Sequence, residues 1–210
     1  MSQIIEHLKS FNSKERFFLV GHILGNVAFI PSPAFRESIA STLHLHLPED
    51  VFAAMDYHLD WLYASLYLAF NQEKSRIFVN DDHLIKAQQE DIDFVFAYDA
   101  NNVCHIILLE AKGVGVFTNK QMASKAARFG EIFGTDGKRW PKVVPHFALV
   151  SPNPPSQRLQ SSAWPVWLAP NNTVPWIELP IPSPLKKVTR CNQQGRADQN
   201  GQYWTISERR

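Results

Sequence analysis

The chain has 210 residues, of which 45% are hydrophobic, and its 21 Lys and Arg nearly balance its 20 Asp and Glu. This composition supports a packed core and excludes a largely disordered chain, and the length fits one domain or one domain with an appendage. A net charge of +1 neither indicates nor excludes a nucleic-acid partner, because a basic face can be balanced by an acidic face elsewhere.

The cysteines and the apolar segments indicate a cytoplasmic protein. Cys104 and Cys191 are too few for a disulfide framework and lack the spacing of a zinc motif. The longest N-terminal apolar run, FFLVGHILGNVAFI, is too short to cross a bilayer and contains His22 and Asn26. We therefore expect no membrane partner.

The first 70 residues have the patterns of helices. Residues 1–10 form the first predicted helix, and a polar N-cap precedes a second helix that stops near Gly25. PSPAF marks a turn, because proline lacks an amide donor, and helical spacing resumes after it. The segment EDVFAAMDYHLDWLYASLYLAF begins with acids that suit the positive end of a helix. It therefore predicts one long helix over roughly residues 49–70.

Strands dominate the middle of the chain. A short strand is possible at RIFVN, residues 76–80. Two longer strands, DIDFVFAY and VCHIILL, are predicted to form a hairpin through the polar segment DANN. Thr118 caps a helix that Gly134 closes, and VVPHFALVS follows as a buried strand.

The C-terminal part differs in composition. Residues 152–184 contain nine of the 14 prolines, which predicts extended edge pieces packed by tryptophan instead of a central strand. A terminal hairpin, LKKVTRC and QYWTISE, follows. The predicted fold is α/β, a mixed sheet of about four core strands flanked by helices. We divide it into a helical N-terminal extension at 1–48, a core at 49–150 and an appendage packed on the core at 151–210.

The apolar strand VCHIILL ends abruptly in Glu110-Ala111-Lys112. Because side chains alternate along a strand, Glu110 and Lys112 share one face. Antiparallel pairing brings the start of the preceding strand, which carries Asp93, beside this end. The sequence therefore predicts that Asp93 and Glu110 lie within a few ångströms of each other, with Lys112 close by.

Two carboxylates at such a distance repel each other, and burial increases the cost. A divalent cation offsets both charges, and Mg²⁺ takes oxygen ligands from one or two carboxylates together with water and substrate phosphate. Such a metal polarises a phosphoryl oxygen and lowers the pKa of a bound water, while a lysine can orient that water. This arrangement suits hydrolysis of a phosphodiester bond.

The segment DID, followed by an apolar strand ending in Glu110-Ala111-Lys112, resembles the PD-(D/E)XK nuclease superfamily of restriction endonucleases and Holliday-junction resolvases. The resemblance covers roughly residues 50–150 and implies a restriction-endonuclease-like core. It implies that Asp93, Glu110 and the carbonyl of Ala111 hold Mg²⁺ or Mn²⁺, and that Lys112 is the catalytic lysine. The implied partner is nucleic acid, DNA sooner than RNA, and the sequence also allows a homodimer. The proline that usually precedes the first aspartate is absent.

Further site residues are expected on the flanking helices. Members of the superfamily often add an acid from the preceding helix, and Asp60, in an otherwise apolar run, is preferred over Asp56. An Asp60 that simply pairs with an arginine is the alternative. On the following helix a stripe at i, i+4 and i+7 could receive a phosphate backbone, or could be a solvated face: Gln121, Lys125 and Arg128.

Other interpretations stay open. Asp93, Glu110 and Lys112, the predicted triad, could be a surface salt-bridge cluster. The fold could also be an inactive module that binds nucleic acid or protein. In the tail, Lys186, Lys187, Arg190 and Arg196 combine with Tyr203 and Trp204, a composition that can bind single strands. A terminal hairpin that packs its aromatic residues inward is the favoured account of this segment.

Overall fold

The chain divides into two units, Met1–Glu178 and Leu179–Arg210. A computed structural model describes residues 2–71, 75–88, 90–113, 115–155, 159–182 and 185–209. No helix among these residues is long and apolar enough to cross a membrane.

The described part of the first unit contains five α-helices and five strands. In chain order they are α1 Gln3–Phe11, α2 Glu15–Ile23, α3 Pro33–Leu43, β1 Phe52–His58, α4 Leu59–Phe70, β2 Asp91–Ala100, β3 Val103–Ala111, α5 Asn119–Phe133, β4 Val143–Ser151 and β5 Trp176–Glu178. The second unit contains β6 Leu185–Cys191 and β7 Tyr203–Arg209.

The first unit is built on a mixed sheet with strand order β1-β2-β3-β4-β5. The pairs β1–β2 and β2–β3 are antiparallel, and the pairs β3–β4 and β4–β5 are parallel. The predicted α/β class and mixed sheet are therefore confirmed, but the sheet has five strands where about four were expected. One hydrophobic cluster joins the sheet to α1, α4 and α5, and includes Leu8, Leu62, Ile106 and Phe129.

The hairpin of β2 and β3 forms as predicted. Asn101 and Asn102 link the strands with φ of 51° and 62°. Asparagine tolerates this left-handed region better than most residues, and two such residues suit the turn that matches the twist of the flanking strands. The predicted caps of α5 are also present, since Thr118 Oγ1 accepts a hydrogen bond from the Gln121 amide at 3.3 Å and Gly134 ends the helix with φ of 85°.

The long helix predicted over residues 49–70 is wrong in its first half. Residues 52–58 form β1, which pairs with the outer edge of β2 from Phe52 opposite Ala97 to His58 opposite Asp91. Helix α4 begins only at Leu59, where His58 Nδ1 accepts a hydrogen bond from the Asp60 amide at 3.1 Å. A short apolar run is compatible with a helix or a strand, and pairing with the free edge of β2 makes this segment a strand. The possible strand at 76–80 does not form.

The proline-rich segment follows the sheet edge, as expected. Its one strand in the first unit, β5, has three residues and lies at the end of the sheet beside β4. The tryptophans pack this segment, because Trp176 Nε1 donates to the Ser151 carbonyl at 3.2 Å and Trp167 Nε1 to the Gly134 carbonyl at 3.1 Å. Residues 156–158 and 183–184 of the segment lie outside the described residues.

The second unit is a two-stranded hairpin, which confirms the predicted terminal hairpin. Strands β6 and β7 pair from Leu185 opposite Arg209 to Cys191 opposite Tyr203. Its loop is closed tightly: a Cβ on Gly201 would lie 2.1 Å from the Cys191 carbonyl oxygen. Only glycine allows that approach.

Candidate active site

Two carboxylates meet where β2 begins and β3 ends. The register pairs Phe94 with Leu109, so Asp93 and Glu110 are the next residues toward the sheet end and lie opposite each other. Asp93 Oδ2 accepts a hydrogen bond from the Ala111 amide at 2.6 Å, which ties the acid of β2 to the end of β3. This agrees with the proximity that strand alternation predicts.

Glu110 is nearly removed from solvent, with 2% of the residue exposed. Its carboxylate forms an ion pair with Lys125 Nζ of α5, and the same ammonium donates to the Asp91 carbonyl at 2.8 Å. Burial raises the pKa of Glu110, and the charge of Asp93 raises it further, while the charge of Lys125 acts against both. The site therefore holds a buried acid that needs a nearby cation to stay ionised.

Lys112 lies at the same end of the sheet. Its charge also lowers the pKa of Glu110, by less than the charge of Lys125 does. Its amide donates to the Val150 carbonyl of β4 at 2.8 Å, which fixes the end of β3 against the next strand. Among the described residues no carboxylate lies within ion-pairing distance of its ammonium.

Asp60 makes contacts that give it a structural role. Its carboxylate forms an ion pair with Arg128 at 2.8 Å and accepts hydrogen bonds from the amides of Lys86 at 3.2 Å and Ala87 at 2.8 Å. The alternative in which Asp60 pairs with an arginine is therefore observed, and a catalytic role for it stays a prediction. Asp56, the less favoured acid, lies in β1 and not in the predicted helix over residues 49–70.

The three residues of the predicted stripe on α5 do not share one environment. Gln121 is exposed, whereas Lys125 is 7% and Arg128 4% exposed. Lys125 is engaged with Glu110, and Arg128 with Asp60, with Glu131 at 3.1 Å and with the Leu84 carbonyl. Lys125 and Arg128 are therefore both paired with groups inside the protein. Of the three residues, only Gln121 is exposed to solvent for the predicted contact with a phosphate backbone.

Lys14, Arg16 and the strand position of Asp56 are features near this site that the sequence did not predict. Asp56 occupies the β1 position opposite Asp93, between the pairs Met55–Phe94 and Tyr57–Ile92, with φ of 50°. It forms an ion pair with Arg16 at 3.0 Å, and Lys14 pairs with Asp91 at 2.8 Å. The alternation of β2 puts Asp91 on the same face as Asp93, but no local pattern points to Lys14, Arg16 or the strand that carries Asp56.

The atoms that could coordinate a cation at this sheet end are carboxylate and carbonyl oxygens. Within the described ranges, no group of three or more His, Cys, Asp or Glu side chains is arranged to hold a metal ion. The comparisons add no relative: no family model matches the chain, and neither the curated proteins nor the solved structures contain a match.

Proposed function

We propose that this chain is a divalent-metal-dependent nuclease with a restriction-endonuclease-like core, which hydrolyses phosphodiester bonds of nucleic acid, DNA sooner than RNA. The observation that carries the proposal is the meeting of Asp93 and buried Glu110 at the end of a β-hairpin, with Lys112 coupled to Glu110. Two adjacent carboxylates repel each other, and such a pair beside a lysine that has no carboxylate partner among the described residues suits cation-assisted chemistry.

The residues fit a hard divalent cation. Asp93, Glu110 and the Ala111 carbonyl offer oxygen ligands only, which Mg²⁺ and Mn²⁺ prefer. Two protein carboxylates suffice for Mg²⁺, because this ion keeps several waters and takes others of its ligands from substrate phosphate. Once bound, it would polarise a phosphoryl oxygen and lower the pKa of a water.

The protein groups have separate tasks in this proposal. Lys125 keeps Glu110 ionised despite its burial, so the acid is ready as a ligand. Lys112 orients the attacking water and stabilises the negative charge that develops on the phosphate. Gln121, exposed at the start of α5, contacts the substrate backbone.

The order of elements also supports the proposal. An antiparallel hairpin of β2 and β3, the helix α5 and the strand β4 parallel to β3 follow one another around the Glu110-Ala111-Lys112 motif. This is the arrangement that the resemblance to PD-(D/E)XK nucleases implies. The added strand β1 and the missing proline are departures from it.

One observation favours a second function, that of an inactive interaction module on the same fold. The Lys125 ammonium already neutralises Glu110, and the described side chains form no group of three metal-binding residues. A nuclease that has lost its metal would retain such an internal ion pair for stability.

The two functions are separated by assaying purified full-length protein on single-stranded and duplex DNA and on RNA, with Mg²⁺ or Mn²⁺. We expect hydrolysis that Lys112→Ala reduces at least about a hundredfold, comparable to losing one transition-state donor. Lys138→Ala is the matched control, because Lys138 is an exposed lysine away from the triad. Mn²⁺ binding by calorimetry, weakened in Asp93→Asn, gives a readout independent of turnover. Absence of both hydrolysis and metal binding in the folded wild type favours the module.

A further inference from the structure

The hairpin of β6 and β7 presents two different faces. Residues directly opposite each other in an antiparallel pair point to the same side, and alternate residues point to opposite sides. The register therefore puts six residues on one side, which we call the tryptophan face: Lys186, Val188, Arg190, Trp204, Ile206 and Glu208. Lys187, Thr189, Cys191 and Tyr203 belong to the other side.

The tryptophan face is open to solvent. Trp204 is 65% exposed, and Val188 and Ile206, which are paired with each other, are exposed as well. The expectation that the hairpin packs its aromatic residues inward is therefore wrong. Arg190 lies opposite Trp204 in the register, and its Nε donates to the Gly201 carbonyl at 2.6 Å, which ties its side chain to the loop of the hairpin.

Charge is distributed unevenly between the two units. Residues 179–210 contain six Lys and Arg against two Asp and Glu, an excess of four positive charges. Because the whole chain has a net charge of +1, residues 1–178 carry an excess of three negative charges. The second unit is thus the basic part of a nearly neutral chain, and Lys186, Lys187, Arg190 and Arg196 are all exposed on it.

We propose that the tryptophan face binds nucleic acid that has unpaired bases, with Trp204 stacking on a base and Lys186 and Arg190 contacting the adjacent phosphates. An exposed aromatic ring flanked by cations on a flat β-surface is the combination that binds single strands without sequence preference. The choice of nucleic acid as the partner rests in part on the nuclease function proposed above, and it assigns substrate capture to a unit separate from the site of hydrolysis.

Two other partners fit the face less well. In a duplex each base is already stacked on its neighbours, so a projecting indole gains a stacking partner only where bases are unpaired. An anionic membrane would also attract the basic unit, but Glu208 shares the tryptophan face and the apolar area comprises only Val188, Trp204 and Ile206.

The test uses the full chain in EDTA, where no metal-dependent hydrolysis occurs, and fluorescence anisotropy of a labelled oligothymidylate and of a duplex of equal length. We expect tighter binding to the oligothymidylate, and a loss of about tenfold for Trp204→Ala. Tyr203→Ala is the matched control, since Tyr203 is the neighbouring exposed aromatic residue on the opposite face. It should leave the affinity unchanged.

A second pair of variants tests the phosphate contacts. Lys186→Ala should lower the slope of log affinity against log salt by about 0.7, the value for one phosphate contact on a single strand. Lys187→Ala, on the opposite face, should lower it less. Equal effects of Trp204→Ala and Tyr203→Ala, tighter binding to duplex, or Trp204-dependent binding to phosphatidylserine vesicles in place of the oligonucleotide would each overturn the proposal.

This experiment also separates the two proposals. Trp204-dependent binding without any hydrolysis in Mg²⁺ overturns the nuclease function alone. Hydrolysis in Mg²⁺ with no effect of Trp204→Ala on oligonucleotide binding overturns the role of the hairpin alone.

Discussion

Replacing Lys125 with methionine should destabilise the protein in a strongly pH-dependent way. The side chains of Lys125 and Glu110 are 9% and 3% exposed, so their ion pair is buried, unlike an exposed pair that contributes 0–1 kcal/mol. Methionine retains the length of the side chain but leaves the Glu110 carboxylate buried without its cation. Removing one partner of a buried pair costs about 3–5 kcal/mol, and we expect a loss of this size at pH 8.

The sign of the pH dependence follows from the pKa of Glu110. Burial already raises this pKa, and loss of Lys125, whose charge lowers it, raises it further. In the variant, the folded state therefore takes up a proton at a pH where the unfolded chain does not. The penalty is absent below the unfolded pKa and grows as the pH rises through the folded pKa. Lys125→Met should thus lose less stability at pH 5 than at pH 8.

Urea denaturation at the two pH values measures these differences in the free energy of unfolding. The double variant Lys125→Met, Glu110→Gln is the control, because a neutral amide needs no cation. It should recover most of the loss at pH 8, apart from about 1 kcal/mol for the hydrogen bond from Lys125 to the Asp91 carbonyl. A loss that is equal at both pH values, or that Glu110→Gln does not relieve, would refute the description of Glu110 as a buried acid held ionised by Lys125.

Two further predictions concern other parts of the chain. Burial, with a smaller contribution from His105, lowers the pKa of His146 from 6.5 to about 4. His105 Nδ1 and His146 Nε2 lie 3.0 Å apart, at hydrogen-bond distance. As the pH falls, the imidazole of residue 146 takes up a proton in the unfolded chain before it does so in the folded protein. His146 should therefore cost about 2 kcal/mol of stability on going from pH 7.5 to pH 5. Unfolding curves of the wild type and of His146→Gln should differ by this amount, and parallel pH profiles of the two proteins would contradict the prediction. Gly201→Ala should open the terminal hairpin, since its Cβ would lie 2.1 Å from the Cys191 carbonyl oxygen. Amide exchange of β6 and β7 should then accelerate while that of β2 and β3 stays unchanged, and equal protection of β6 and β7 in both proteins would show that the loop can absorb the methyl group.

The central hairpin could be predicted because its information is local. The alternation at the start of DIDFVFAY, the apolar run VCHIILL and the two asparagines between them define strands, turn and register within 20 or so residues. That register alone places Asp93 opposite Glu110. The sequence information that predicts helix α5 is equally local, since both of its caps lie within a residue of its ends.

The first strand could not be predicted from its own residues. Phe52–His58 is a short apolar segment that leads directly into α4, and its pattern suits a helix as well as a strand. It becomes a strand because β2 has a free edge whose backbone groups need partners, and that edge lies 33 or more residues away in sequence. The position of Asp56 opposite Asp93 depends on the same long-range pairing.

The sequence by itself determined that two acids and a lysine converge at one end of a hairpin, because strand pairing and side-chain alternation are geometric consequences of a local pattern. Only the tertiary structure decided which charges remain available there. Lys125 and Arg128 look alike in a helical stripe, but each is paired with a carboxylate that lies 15 or 68 residues away, because a buried acid has to be neutralised by whichever cation packs against it. The same holds for Trp204, whose exposure depends on what covers the hairpin and not on the residues beside it.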